Sequence, residues 1–166
     1  YMRNREKSPS NIKSMPVFHD DKIYLTLGGD IWWGKRTSWL KCVDALNGNE
    51  IWSYPMNDHC CATPAVWNNL VFVGDTNGEF HCVDAITGQH YWTHELKGDI
   101  WASALVADDK VYIGTRRGEF YVFEASKTKK LLYSIRFDSK INATAVAANG
   151  LLYVATMEYL YAISNK

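Results

Sequence analysis

The segment from Asn57 to Trp67, NDHCCATPAVW, sets His59 directly before two adjacent cysteines, Cys60 and Cys61. Thiols and an imidazole so placed could form a redox couple or bind a metal. On an extended segment neighbouring side chains point to opposite sides, so His59 and Cys61 could share an ion while Cys60 faces away. Two ligands do not make a zinc site, and no metal is expected. The plainer reading is that each cysteine is a small buried residue. Arg116-Arg117 offers guanidinium forks suited to a carboxylate or phosphate, although an exposed turn is the commoner explanation of such a pair. Trp32 and Trp33, flanked by glycines and by Lys35-Arg36, read either as a lid or as packing against a neighbour. The histidines at 19, 81, 90 and 94 fall on separate turns or strands, no Ser-His-Asp order or carboxylate pair stands out, and no catalytic residue is expected.

The elements that must carry these groups are repeated. Cys42, Asp44, Gly48 and Trp52 recur as Cys82, Asp84, Gly88 and Trp92, each 40 residues on. Leu70-Val71-Phe72-Val73-Gly74 recurs as Lys110-Val111-Tyr112-Ile113-Gly114 and, 41 residues later, as Leu151 to Ala155. The first copy, from Lys22, carries about eight extra residues, as a loop insertion at 28–36 would give. Short β-branched and aromatic runs alternate with Asn-Asn, Asp-Asp, Asn-Gly and Thr-Gly pairs, and helical periodicity is absent. A period near 40 with four short antiparallel strands predicts an all-β propeller. The boundaries read as a lead-in at 1–12, blade 1 at 13–59, blade 2 at 60–99, blade 3 at 100–140 and a partial blade 4 at 141–166. Three complete blades and three strands of a fourth make about half of an eight-bladed ring, and an open half leaves faces for the remaining blades of a longer chain, or a second chain, to close.

Lys and Arg total 18, as do Asp and Glu, so no net field recruits nucleic acid, and the short apolar runs predict no membrane span. Aligning the copies puts Lys13, Cys61, Trp101 and Asn142 at equivalent strand starts near the axis. Trp32, Trp33, His59, Cys60, Cys61, Trp101, Arg116 and Arg117 then share one loop-bearing face, the candidate ligand face.

The offsets Cys42-x5-Gly48-x3-Trp52 and Cys82-x5-Gly88-x3-Trp92 resemble the docking motif of the pyrroloquinoline-quinone-like, or quinoprotein-type, propeller repeat. The resemblance implies that each Trp packs on the glycine and small residue of the next blade, with its N–H on a backbone carbonyl. The third copy departs, with Thr128 for the glycine and Leu132 for the Trp, so a looser junction is expected there. It also implies an extracytoplasmic, for example periplasmic, location, where Cys60 and Cys61 could pair. The leading expectation is a non-enzymatic binding or scaffolding propeller with a protein partner and no cofactor, as in the outer-membrane assembly lipoproteins sharing this repeat. One alternative is part of a quinone-dependent alcohol-type dehydrogenase, in which pyrroloquinoline quinone with calcium would lie between a vicinal disulfide and a Trp. Another is a carbohydrate- or peptide-binding face using Trp32, Trp33 and Trp101.

Overall fold

A computed structural model describes residues 12–29 and 36–164. Trp32, Trp33 and Lys35, most of the insertion and most of the lead-in lie outside the described residues. The described residues form fifteen strands in four antiparallel sheets, each a simple meander in chain order. Blade 1 holds β1 (Val17–His19), β2 (Lys22–Gly28), β3 (Ser38–Asp44) and β4 (Glu50–Met56). Blade 2 holds β5 (Ala65–Trp67), β6 (Leu70–Gly74), β7 (Glu79–Asp84) and β8 (His90–Glu95). Blade 3 holds β9 (Leu105–Ala107), β10 (Lys110–Gly114), β11 (Glu119–Glu124) and β12 (Leu131–Arg136), and the last sheet holds β13 (Val146–Ala148), β14 (Leu151–Ala155) and β15 (Leu160–Ser164). The chain is a partial β-propeller.

Turn chemistry explains the meanders. Asp20-Asp21, Asn68-Asn69 and Asp108-Asp109 all have φ between 46° and 60°, and Asn149-Gly150 follows at 52° and 74°. Two successive left-handed residues make the tight turn whose twist matches flanking strands, and Asn, Asp and Gly tolerate it best.

Strand alternation builds the core between blades. From β6, Val71 and Val73 face blade 1 and pack with Tyr24, Leu40, Cys42, Trp52 and Met56. Leu70 and Phe72 face the other way and pack with Val111, Ile113, Tyr121 and Phe123 of blade 3. Each central blade is therefore apolar on both faces, and β6 is buried along its whole length.

The Trp52 indole N–H donates to the Ala85 carbonyl at 3.0 Å, and a Cβ added at Gly88 would fall 2.7 Å from the Trp52 ring. Only glycine permits that approach, with φ at +72°. Trp92 makes the equivalent bond to the Ser126 carbonyl at 3.0 Å. Its ring is 5% exposed and lies 5.5 Å from Phe123, so Thr128 in place of glycine leaves this junction packed. The outer strand β12, which carries Leu132 where the Trp stands in earlier copies, is exposed at every residue among the described residues.

Candidate functional site

Three incoming segments and three hairpin loops build the loop-bearing face, and one pattern locks each pair. Thr76 N–H donates to the His59 carbonyl at 2.8 Å, Arg116 N–H to Asp99 at 2.9 Å and Met157 N–H to Lys140 at 2.9 Å. Around the inner strands, Met15 N–H donates to Thr63 Oγ1 at 3.1 Å and Thr63 N–H to Ser103 Oγ at 2.9 Å, so the blades are stitched in register. In that register Lys13, Trp101 and Asn142 are exposed and Cys61 is half-buried, while the residues just before the last three, Cys60, Ile100 and Ile141, are buried.

Cys60 thus occupies an isoleucine position. Ile100 packs on Gly74 and Ile141 on Gly114, so closely that a Cβ on either glycine would clash. The residue matching those glycines in blade 1 is Thr26, fully buried, and the plug beside it is the smaller Cys60. The Cys60 thiol donates to the Gly74 carbonyl at 3.1 Å, and burial pushes its pKa up to about 12. It is an inert packing group.

Cys61 points elsewhere. His59 Nδ1 donates to the Gly29 carbonyl at 2.9 Å, which leaves Nε2 to accept from the Cys61 thiol at 3.1 Å. This has the outline of a nucleophile and its base, but burial raises the Cys61 pKa and only the Lys13 charge opposes that. His59, 1% exposed, therefore serves as a strut between Gly29 and Cys61. Asp58 fixes the same segment: Arg36 grips its carboxylate through Nε and Nη2 at 2.7 Å each, and Oδ1 also accepts the His59 N–H at 2.6 Å. The four residues Asp58 to Cys61 thus spend their polar atoms on different partners and do not converge on an ion.

Trp101 and Arg116 come together, which the sequence placed on one face without linking them. The Arg116 guanidinium lies 4.2 Å from the Trp101 ring centroid, with an Asp99 carboxylate oxygen 3.8 Å from Nη1. Arg116 Nε is buried and has no acceptor among the described residues. Trp101 is 38% exposed, and the exposed Arg117 lines a depression of about 420 Å³ together with Thr76, Asn77, Lys97 and Asp99.

The described residues do not fit the quinone and its calcium ion. Cys60 and Cys61 are both free, their thiols bonded to different partners, so no flat disulfide faces Trp101. Arg116 covers one face of that indole, and calcium requires a cage of about six to eight oxygens that these loops do not assemble.

A cluster that sequence reasoning missed lies in the hairpin beneath His59. Asp75, Glu79 and His81 bring one ligand atom each within 4.8 Å of one another. Asp75 Oδ2 and His81 Nε2 are buried and lack any hydrogen-bond partner. The signal was available in the repeat, because blade 3 has Thr115 and Tyr121 where blade 2 has Asp75 and His81.

Known structures share this fold at low identity. The computationally designed Ika4 protein superposes with a TM-score of 0.76 at 17% identity, covering 96% of this chain and 94% of that one. BamB from Moraxella catarrhalis gives 0.70 at 15% identity, covering 95% of this chain and 59% of that one. The quinohemoprotein alcohol dehydrogenase from Comamonas testosteroni gives 0.74 at 20% identity, covering 92% and 30% respectively. This chain therefore spans less than two thirds of either natural neighbour. No curated protein matches the sequence. Residues 36–127, more than half of the chain, match the model of a family described as outer membrane protein assembly factor BamB, a pyrroloquinoline-quinone-like repeat propeller, and the chain belongs to that family.

Proposed function

We propose that this chain is a non-enzymatic binding or scaffolding propeller whose loop-bearing face docks a protein segment at Trp101 and Arg116. The observation that carries the reading is the exposed indole stacked under a guanidinium whose buried Nε still lacks an acceptor. An aromatic platform beside a guanidinium suits a peptide carrying an acidic group, because the ring supplies contact area and the guanidinium the orientation. Four other polar groups of the face, His59, Cys61, Asp58 and Arg36, are tied to one another and hold the loops still. The match to an outer-membrane assembly factor family supports a scaffolding role and an extracytoplasmic location.

In the same reading, the Trp–Gly contacts are the docking device between blades, and further blades, from a longer chain or a second one, close the ring. Gly48, which matches Gly88, has nothing among the described residues within 4 Å of an added Cβ, which suits it to be the surface on which another blade's Trp would sit. At the opposite end Val146, Leu160 and Ile163 are exposed on the last sheet.

Reconstitution with pyrroloquinoline quinone and calcium, followed by dye-linked assay with primary alcohols, tests the non-enzymatic reading. The expected result is no quinone retained after gel filtration and no dye reduction. Turnover that is lost in Trp101→Ala would replace this reading with the dehydrogenase.

A further inference from the structure

We propose that Asp75, Glu79 and His81 form a binding site for one divalent transition-metal ion of the zinc class, independent of the Trp101 face. Asp75 follows β6 and caps the hairpin: its Oδ1 accepts the N–H groups of Asn77 and Glu79, both at 3.0 Å. In blade 3 the Thr115 hydroxyl stands at this place and accepts the Arg117 N–H, and in the last sheet the Thr156 hydroxyl accepts from Glu158 and Tyr159. One oxygen suffices for the turn. The second oxygen of Asp75 is therefore an addition peculiar to blade 2, and it is fully buried with no hydrogen-bond partner.

His81 is likewise peculiar to blade 2. Its Nδ1 lies 3.1 Å from Thr93 Oγ1 and 3.2 Å from the Tyr54 hydroxyl, which hold the ring with Nε2 toward Asp75, and in the tautomer with the proton on Nδ1 the Nε2 lone pair is free to ligate. Nε2 and Asp75 Oδ2 then face each other at 3.9 Å, and neither has a hydrogen-bond partner among the described residues. At 3.9 Å the two atoms are beyond hydrogen-bond distance, and the gap is within ion-pair reach only of a protonated imidazole. A water bonded to both at about 2.8 Å would be pinched to roughly a right angle. Two metal–ligand bonds of about 2.1 Å span it, and a contraction of about 0.5 Å gives a tetrahedral angle.

Glu79 supplies the third ligand. Residues 79 and 81 share one face of β7, and the Glu79 carboxylate, held by Asn57 Nδ2 at 3.0 Å, is half-buried at the solvent side of the cluster. Two carboxylates and one neutral imidazole leave two negative charges, which a divalent cation neutralises. The mixed nitrogen and oxygen set favours zinc over calcium or magnesium. The ion would pin the 75–78 hairpin to β7, directly under the segment that carries His59 and Cys61.

The test uses the whole chain with zinc alone, by equilibrium dialysis and metal analysis, and with cobalt(II) for its visible spectrum. The expected result is one equivalent bound, with affinity falling about 100-fold or more in Asp75→Thr and His81→Tyr, and retained in Cys61→Ser. Both variants install residues that blade 3 carries at the same places, and circular dichroism checks that they fold. The cobalt form should show no thiolate charge-transfer band. Absence of stoichiometric binding to the wild type, binding unaffected by Asp75→Thr, or a thiolate band lost with Cys61→Ser would each overturn the proposal. The wild-type measurements decide the matter even if a variant fails to fold.

Discussion

The pairing of Cys60 with Thr26 makes a quantitative prediction about why two cysteines stand together. In blades 2 and 3 a glycine on the inner side of the second strand admits an isoleucine plug: a Cβ on Gly74 would lie 2.6 Å from Ile100 Cγ2. In blade 1 the side chain of Thr26 fills that space, with its hydroxyl donating to the Ala62 carbonyl at 3.2 Å, and the plug shrinks to Cys60. Cys60→Ile alone therefore forces a larger side chain against Thr26, which overpacking data put at about 1–3 kcal/mol. Thr26→Gly alone empties a buried site and removes one hydrogen bond, a loss of about 2–4 kcal/mol from cavity, hydrogen-bond and glycine effects together. The double variant recreates the Gly–Ile pair of the other blades and should be more stable than the sum of the singles implies by about 1–3 kcal/mol, a range typical of residues in direct contact. Urea denaturation, with midpoint and slope fitted for all four proteins, reads the coupling. Additivity within about 0.5 kcal/mol would refute the size-compensation argument and return Cys60 to the list of residues needing another explanation.

Two further outcomes follow from the same geometry. Gly88→Ala and Gly48→Ala both place a side chain at a left-handed φ, +72° and +74°, but only Gly88 faces an indole. The first should cost about 1–3 kcal/mol more than the second by denaturant titration, and equal costs would contradict the Trp52 contact. His94, whose pKa is lowered by burial and then by Lys129, resists protonation in the folded state, so its contribution is present above its ordinary value of 6.5 and is lost as pH falls through the depressed value. Wild-type stability should therefore drop more steeply than that of His94→Gln on acidification from neutral pH, and parallel curves would count against it.

The strands and their turns were legible because each hairpin spells its own backbone geometry: Asn68-Asn69 and Asp108-Asp109 are residues that accept left-handed φ, and the flanking runs alternate. Repeat spacing put Cys61 and Trp101 at equivalent strand starts, and the structure sets each four residues ahead of its innermost strand. What was hidden depends on side-chain direction. Whether Arg116 reaches Trp101 or open solvent is decided by where the guanidinium turns, and no spacing encodes that. The Asp75, Glu79 and His81 cluster was obscured for another reason. Asp75 reads as an ordinary turn residue, and only the observation that Thr115 and Thr156 do the same work with one oxygen exposes the surplus carboxylate oxygen. Likewise, Cys60 looks like half of a vicinal pair until it is set beside Ile100 and Ile141, after which it reads as a plug trimmed to fit Thr26.

Site-specific photo-crosslinking in the source cells tests the binding face most directly. A photoreactive residue at position 117, next to Arg116, should give one discrete protein adduct that disappears in Trp101→Ala and Arg116→Glu. The same probe at Asn69 or Asp109, on hairpin turns at the other end of the blades, should give none. Adducts of equal yield from both ends, or an adduct at 117 indifferent to Trp101 and Arg116, would contradict a binding site at that face.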